Sequence, residues 1–426
     1  MTGSMATRAD EHSLRYYGWR LLLVSVLGMA FSPGPLIFGS LGVLLADIQQ
    51  TFAWGRAELM LSLSFFTGSC IIAAPVVGKL IDRFGAKEVL LPSVGLLGLA
   101  MLLLPASLKS LTTFYCLTSV IGFVSLGAQS ISYIRVLSSW FDHHRGIAIG
   151  IAASGLGLGY MIMPLLIQLL LSITSWEVAY YGLAAIVMAF SFPLLAITIR
   201  NEPEKATATA VERKAAVSVS APGMTAREAL KTREFWLMTI ALTIMSAFLT
   251  GLVPHIVPLI KDRGITAAMA ATVGSFMGLA TFLGRIAVGY LLDRFFAPFV
   301  AIAFFGLACV GLLLLADANS LFVFYMAAFM IGLGFGAESD LIGYLVGRYF
   351  GLKAFAQIYG YALAGFLLGA GVGPYLLGLC YEYWGSYTNI LYIGGFMAAL
   401  ACVLFKLMGR YPTQRREKEP EGLLQS

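Results

Sequence analysis

The stretch Gly78-Lys79-Leu80-Ile81-Asp82-Arg83-Phe84 returns about 210 residues later as Gly289-Tyr290-Leu291-Leu292-Asp293-Arg294-Phe295. Two further blocks keep the same order and nearly the same spacing. Gly127-Ala128-Gln129-Ser130 matches Gly336-Ala337-Glu338-Ser339, and Gly150, Gly155, Gly159 and Pro164 match Gly360, Gly365, Gly369 and Pro374. One match could be chance in a chain with 46 glycines, but three in series mark an internal duplication. Each block lies within or at the end of a long apolar run. The duplicated unit is therefore read as a bundle of membrane helices. Two such bundles on a linker are how many transporters build a midplane site between rocking halves.

Composition leads to the same place. Of 426 residues, 59% are hydrophobic and 12% charged, against about 25% charged in a soluble domain. No water-facing fold hides that excess, so lipid must solvate much of the surface. A helix crossing the bilayer core needs roughly 20 apolar residues. Twelve runs qualify, near 21–45, 58–81, 88–108, 112–138, 146–170, 176–199, 235–260, 267–292, 297–316, 320–347, 354–379 and 385–409. The expected fold is an all-α polytopic membrane protein with twelve transmembrane helices in two pseudo-symmetric six-helix bundles. The bundles cover 21–200 and 235–409, flanked by an N-terminal segment 1–20 and a tail 410–426. The polar segment 201–234 is the linker, and Thr225 and Glu228 near its end have capping-box spacing.

The five cysteines stand singly in apolar stretches, with no CxxC or Cys/His spacing for a metal or a disulfide framework. No cofactor motif is present. The polar residues Met1 to Arg20 lack the features of a cleaved signal, so the first span serves as the membrane address. With both termini inside, the Lys and Arg residues outside the cell are Arg56, Lys109, Lys261 and Arg263, and Arg135 and Arg285 lie mid-span. The rest of the 28 fall on the cytoplasmic side, the positive-inside arrangement. The net charge of +6 is accounted for in this way, without a nucleic-acid partner. The expectation is a multi-pass protein of the cell membrane, in a bacterium the inner one, working as a monomer.

The stretch from Gly78 to Gly85, followed by Lys87, resembles the cytoplasmic loop motif of the major facilitator superfamily between helices 2 and 3. The resemblance implies that Asp82, Arg83, Asp293 and Arg294 form gating contacts at helix ends. Within that superfamily, the run Trp140-Phe141-Asp142-His143-His144-Arg145-Gly146-Ile147-Ala148-Ile149-Gly150 resembles the monocarboxylate transporter family and its bacterial relatives. Tyr17-Gly18-Trp19 is loosely similar to that family's other motif. Arg285, after Gly284, matches its substrate-binding arginine. The animal members carry an aspartate four residues earlier, where this chain has Thr281, and a lysine in helix 1, which Leu21 to Ala46 lacks. The proton-handling group is therefore expected elsewhere in this chain.

A charge at mid-bilayer costs at least ~2.5–3.5 kcal/mol, so it needs a partner or a wet cavity. Arg135, Arg285, Glu338 and Asp340 are the four candidates. Arg285 lies eight residues before Asp293, and Asp340 eight before Arg348, or about 12 Å of helix in each case. Both sit at similar depth and can meet. One reading makes Arg285 the grip on a substrate carboxylate, with Asp340 first and Glu338 second as proton carrier. The plainer reading is a structural ion pair between two helices. Glu338 and Asp340 are about 200° apart on a helix, so one of them is expected to face the cavity. Arg135 lines the route or pairs within its own bundle, and it is expected among the gating residues. His255, between Pro254 and Pro258, is either a packing residue or a ligand contact. His143 and His144 fall in a solvated loop. Tyr133, Tyr344, Tyr359 and Tyr361 offer hydroxyls at cavity depth. The glycine runs lack the Lys-Ser/Thr ending of a phosphate loop and are read as packing grooves.

The function these residues suggest is secondary active transport, with a small organic anion and a proton as partners. The anion would be a monocarboxylate such as lactate, although larger aromatic or vitamin-like anions fit the same logic. An exporter of amphipathic drugs or metabolites on the same fold is the alternative, and Arg285 argues against it. No Ser/His/Asp or Cys/His arrangement suggests an enzyme.

Overall fold

The computed structural model describes residues 16–141, 144–199 and 223–411. His143 and most of the linker lie outside them. Among the described residues, twelve helices are long and apolar enough to cross a membrane. Span 1 is Tyr17–Phe52, span 2 Arg56–Phe84, span 3 Ala86–Ser107, span 4 Leu111–Trp140, span 5 Arg145–Ile173 and span 6 Trp176–Thr198. Span 7 is Arg233–Asp262, span 8 Ala267–Leu292, span 9 Ala297–Ala316, span 10 Leu321–Phe350, span 11 Phe355–Trp384 and span 12 Thr388–Leu407. Twelve antiparallel crossings bring the starts of spans 1 and 7 and the ends of spans 6 and 12 to one side, here called the linker end. The opposite side is the distal end.

Local chemistry sets where the helices stop. Gly55 donates its amide to the Glu58 carboxylate at 2.9 Å, so the first turn of span 2 closes back on its own N-cap backbone. Span 2 ends at Gly85, whose φ of 98° a side chain would oppose. At the end of the linker, Thr225 Oγ1 accepts from the Glu228 amide at 3.3 Å and Glu228 accepts from the Thr225 amide at 2.8 Å. That hydrogen bonding holds the exposed Glu228 carboxyl below its usual range. Met224 then donates to the Phe350 carbonyl at 2.8 Å, which pins the linker to the end of span 10.

In lipid, apolar burial does not drive helices together, so close backbone approach has to. The repeated glycines supply it. A Cβ on Gly155 or Gly159 of span 5 would overlap the Val26 or Ala30 carbonyl of span 1. Gly369 and Gly373 of span 11 press in the same way on the Thr243 and Ala247 carbonyls of span 7. The same device therefore builds one crossing in each half. Between halves, Gly278 of span 8 meets the Tyr160–Met161 backbone of span 5, and Gly378 of span 11 meets the Arg56–Ala57 backbone of span 2. Ser64 adds a hydrogen bond to the Gly371 carbonyl at 2.6 Å. The inter-bundle approaches run from the distal end to the middle of the spans, where Gly157 of span 5 also meets the Phe282 backbone of span 8.

Four spans are less regular than their apolar runs suggest, span 6 through a π turn at Val187–Ser191. Span 1 starts earlier and ends later than the expected 21–45. It is interrupted at Phe31–Ser32 and passes through a π turn at Pro35–Gly39, where Pro33 and Pro35 withhold backbone donors. Span 7 tightens into a 3-10 turn at Val253–His255 around Pro254. Span 4, expected to be continuous over 112–138, breaks after the 3-10 turn Leu126–Ala128. Gln129 is extended there, with φ −89° and ψ −176°.

Candidate functional site

Two polar clusters lie inside the spans, one at the interface of spans 8 and 10, the other at the distal end between the bundles. The first depends on glycine. A Cβ on Gly336 would strike the Thr281 carbonyl and the Arg285 amide, and one on Gly284 would strike the Leu333 carbonyl. With only hydrogens there, spans 8 and 10 touch backbone to backbone. The guanidinium of Arg285 then reaches the acid one turn further along span 10. Arg285 Nη1 donates to Asp340 Oδ1 at 3.0 Å, and Nη2 donates to Ser339 Oγ at 3.0 Å. The two residues matched in depth by counting from the linker end do meet.

Exposure separates the partners. The Arg285 side chain is 10% exposed and that of Asp340 is 32%, so the acid is the more accessible of the two. Arg285 Nε is buried without a partner. Glu338 points the other way, as the angle between the two acids requires. It is 2% exposed, accepts from Thr250 Oγ1 of span 7 at 2.7 Å, and leaves Oε2 unpartnered. Tyr160 of span 5 stands within electrostatic reach of both Arg285 and Glu338, and packs edge-on against Phe335 with ring centroids 5.2 Å apart. Tyr160, Phe335 and Thr281 also line a small inter-bundle cavity with room for about one water. Tyr160, Thr250 and Ser339 are the polar members that the sequence reading missed.

The other candidate residues scatter. Tyr359 is half-buried, stacked on Phe355 and within electrostatic reach of Asp340. Tyr344 donates to the Leu292 carbonyl at 2.5 Å, tying the linker ends of spans 10 and 8. Tyr133 is fully buried against Gly28 of span 1. Tyr361 is 52% exposed, in line with Leu368, Val372 and Leu379 on the face span 11 turns to lipid. A depth estimate has no azimuth, and both tyrosines were expected at a cavity for that reason. Arg135 sits half-buried on the second segment of span 4.

Asp82, Arg83, Asp293 and Arg294 are all exposed at the linker end. Arg83 lies 5.0 Å over the Phe84 ring and Arg294 4.0 Å over the Tyr290 ring, and none of the four makes an ion pair among the described residues. The expected gating contacts are not engaged here. The closed contact is at the distal end instead, and it includes His255. Arg56 of span 2 makes a two-point bond to Asp262 of span 7, Nη1 to Oδ2 at 2.6 Å and Nη2 to Oδ1 at 2.9 Å. It also lies 3.8 Å over the Tyr381 ring and donates to Tyr387 at 3.1 Å. Glu382 accepts from the Ala57 amide at 2.9 Å. His255 is fully buried beside this cluster, both ring nitrogens bonded, and does not touch the Arg285 cluster.

A lateral crevice of about 400 Å³ between spans 2, 3 and 4 is larger than the midplane cavity. Its walls are Val76, Leu80, Phe84, Val89, Leu96 and Phe123, and it has none of the paired charges above.

Residues 21–357 match the family model of the Major Facilitator Superfamily. The chain belongs to that superfamily. It is a multi-pass membrane transporter with the superfamily's fold. Among its relatives, an MFS-type transporter of Escherichia coli, YhjX, is 26% identical over 373 residues, covering 82% of this chain and 85% of its own. Monocarboxylate transporter 13 of Bos taurus is 25% identical over 426 residues, covering 96% and 93%. Its counterpart in Rattus norvegicus is 25% identical over 409 residues, covering 92% and 89%. Within this superfamily fold, the Arg285 cluster joins spans 8 and 10 of the second half, and the Arg56 cluster closes the distal side between the halves.

Proposed function

We propose that the protein is a proton-coupled symporter of a small monocarboxylate, with the linker end in the cytoplasm. The observation that carries this reading is the Arg285–Asp340 pair, a deep arginine whose counter-ion is more exposed than itself. A planar guanidinium binds a carboxylate through two parallel hydrogen bonds. An incoming carboxylate can therefore take the place of Asp340 on the Arg285 fork. Asp340, now half-buried without its cation, is better off neutral and takes up a proton. The loaded cavity then holds one guanidinium, one substrate carboxylate and one neutral acid. Charge is balanced, and the halves can rock without moving a bare ion through the bilayer. Release of the anion returns Asp340 to Arg285 and the proton to water.

The long relatives named as monocarboxylate transporters support the cargo class, and the basic residues of the linker-end loops support the orientation. Glu338 is the reserve acid, since its Oε2 has no partner to hold a charge in place. Counterflow of a labelled monocarboxylate panel, lactate included, in proteoliposomes tests the reading. Exchange of at least one short monocarboxylate is expected, lost in Arg285→Ala. Exchange of none, or undiminished exchange by Arg285→Ala at equal protein density, removes it.

A further inference from the structure

The distal cluster holds a hydrogen-bond relay whose direction is fixed by its two ends. Arg56 Nη1 can only donate, so the Tyr387 oxygen accepts from it at 3.1 Å. The Tyr387 hydroxyl then gives its own hydrogen to His255 Nδ1 at 2.8 Å. The Pro374 carbonyl can only accept, so His255 Nε2, 2.8 Å away, carries the ring's hydrogen. Every role is filled when the imidazole is neutral. The relay joins span 2 of one half to spans 7 and 11 and the start of span 12 in the other, so it spans the closed distal contact.

A second proton on His255 cannot be accommodated in this arrangement. It would sit on Nδ1 and point at the Tyr387 oxygen, which already receives the Arg56 donor. The Tyr387 hydrogen would lose its acceptor in a site where His255 has no exposed surface. The imidazolium would also add a positive charge one residue away from the Arg56 guanidinium. The charged and titratable groups around it are Asp262 on the same span, Tyr381 and Glu382 on span 11, and Tyr387. Span 1 meets Pro254 through Gly42, and the titratable residue of its Ser40–Phe52 segment is Asp47. Asp262 already spends both oxygens on Arg56, and Glu382 bonds the Ala57 amide. Neither is placed to absorb the new charge.

We propose that His255 is a proton-binding site that latches the distal gate, closed when the ring is neutral and released when it is protonated. A proton taken during a brief opening holds the gate open, so acid on the distal side favours the state that faces it. The latch goes beyond the anion reading and would act whatever the cargo.

Spin labels at Lys109→Cys and Asn319→Cys report the gate, since both residues are exposed on distal loops of opposite halves. Distances are measured by pulsed electron resonance on the full chain in lipid nanodiscs, with the five native cysteines replaced by serine. The two conditions are about pH 7.5 and about pH 5.5, which bracket an ordinary histidine. The unmodified gate should gain a longer-distance population at the lower pH. His255→Gln, which keeps one donor and one acceptor but cannot take the proton, should hold the short distance at both. Tyr387→Phe cuts the relay and should show the longer population at both. No pH response in the parent, or an acid-induced opening that persists in His255→Gln, overturns the proposal. Should His255→Gln not yield folded protein, Tyr387→Phe decides it: a pH response that survives there overturns the latch equally.

Discussion

Span 4 and span 10 carry the same duplicated block and use it in opposite ways. Gly127-Ala128-Gln129-Ser130 breaks its helix, and the Gln129 side chain donates to Cys70 Sγ at a loose 3.6 Å. Gly336-Ala337-Glu338-Ser339 stays inside one uninterrupted helix, Leu321–Phe350, and carries Asp340 directly after it. Where span 10 has Glu338 and Asp340, span 4 has Gln129 and Ile131 at the matching steps. The half with the intact helix carries the charges, and the half with the broken helix is neutral at those positions. Duplication supplied the sequence block twice, whereas the ionisable chemistry sits on one copy. The difference suits a carrier in which one bundle grips and the other closes against it.

Removing the grip should have the largest effect. Arg285→Ala deletes charged hydrogen bonds worth about 1.5–3 kcal/mol each, so apparent substrate affinity should fall by about 10–100-fold or more. Arg285→Lys keeps the charge without the fork and should fall between that variant and the parent. Initial uptake rates across a substrate series measure both. Equal losses from Arg285→Ala and from Ile131→Ala, the span 4 position that matches Asp340, would erase the asymmetry.

Adding a methyl at the matched glycines sharpens the same contrast. In Gly336→Ala the methyl meets the Thr281 carbonyl and the Arg285 amide, backbone atoms that cannot swing away. In Gly127→Ala it meets Ser93 Oγ and Val89 Cγ1, side-chain atoms that can. Overpacking costs about 1–3 kcal/mol where nothing yields. Gly336→Ala should therefore lower the thermal midpoint and transport together, and Gly127→Ala should do so only slightly. Thermal unfolding in detergent beside uptake in liposomes checks the order, and a larger loss from Gly127→Ala would reverse it.

Moving an acid to the neutral copy should do least. Gln129→Glu places a carboxyl at the break, where no arginine corresponds to Arg285. It should leave pH-driven accumulation close to the parent's, and should not restore it when combined with Asp340→Asn. A rescue by Gln129→Glu would show that the two blocks are interchangeable.

The duplication, the twelve spans and the matched depth of Arg285 and Asp340 are legible in the sequence. They rest on counting along helices, and rise per residue is nearly constant. Azimuth and tertiary partners are not. Tyr361 and Tyr133 read as cavity residues until packing turns one to lipid and buries the other. Thr250 and Tyr160 come to Glu338 from other spans with no local signal. The break at Gln129 is invisible because a nearly identical block in span 10 stays helical, so packing around it must decide. The distal gate was missed because Arg56 and Tyr387 lie 331 residues apart and share no motif. The linker's Thr225–Glu228 capping box was legible because it is wholly local.

The exchange of Asp340 for substrate on Arg285 is tested most directly by counting protons. Purified protein in weakly buffered detergent is mixed with the monocarboxylate most active in counterflow, and proton uptake and binding are recorded on the same sample. Asp340→Asn should still bind the acid but take up no proton with it, whereas the parent takes up about one proton per anion bound. Unchanged proton uptake in Asp340→Asn would contradict the account.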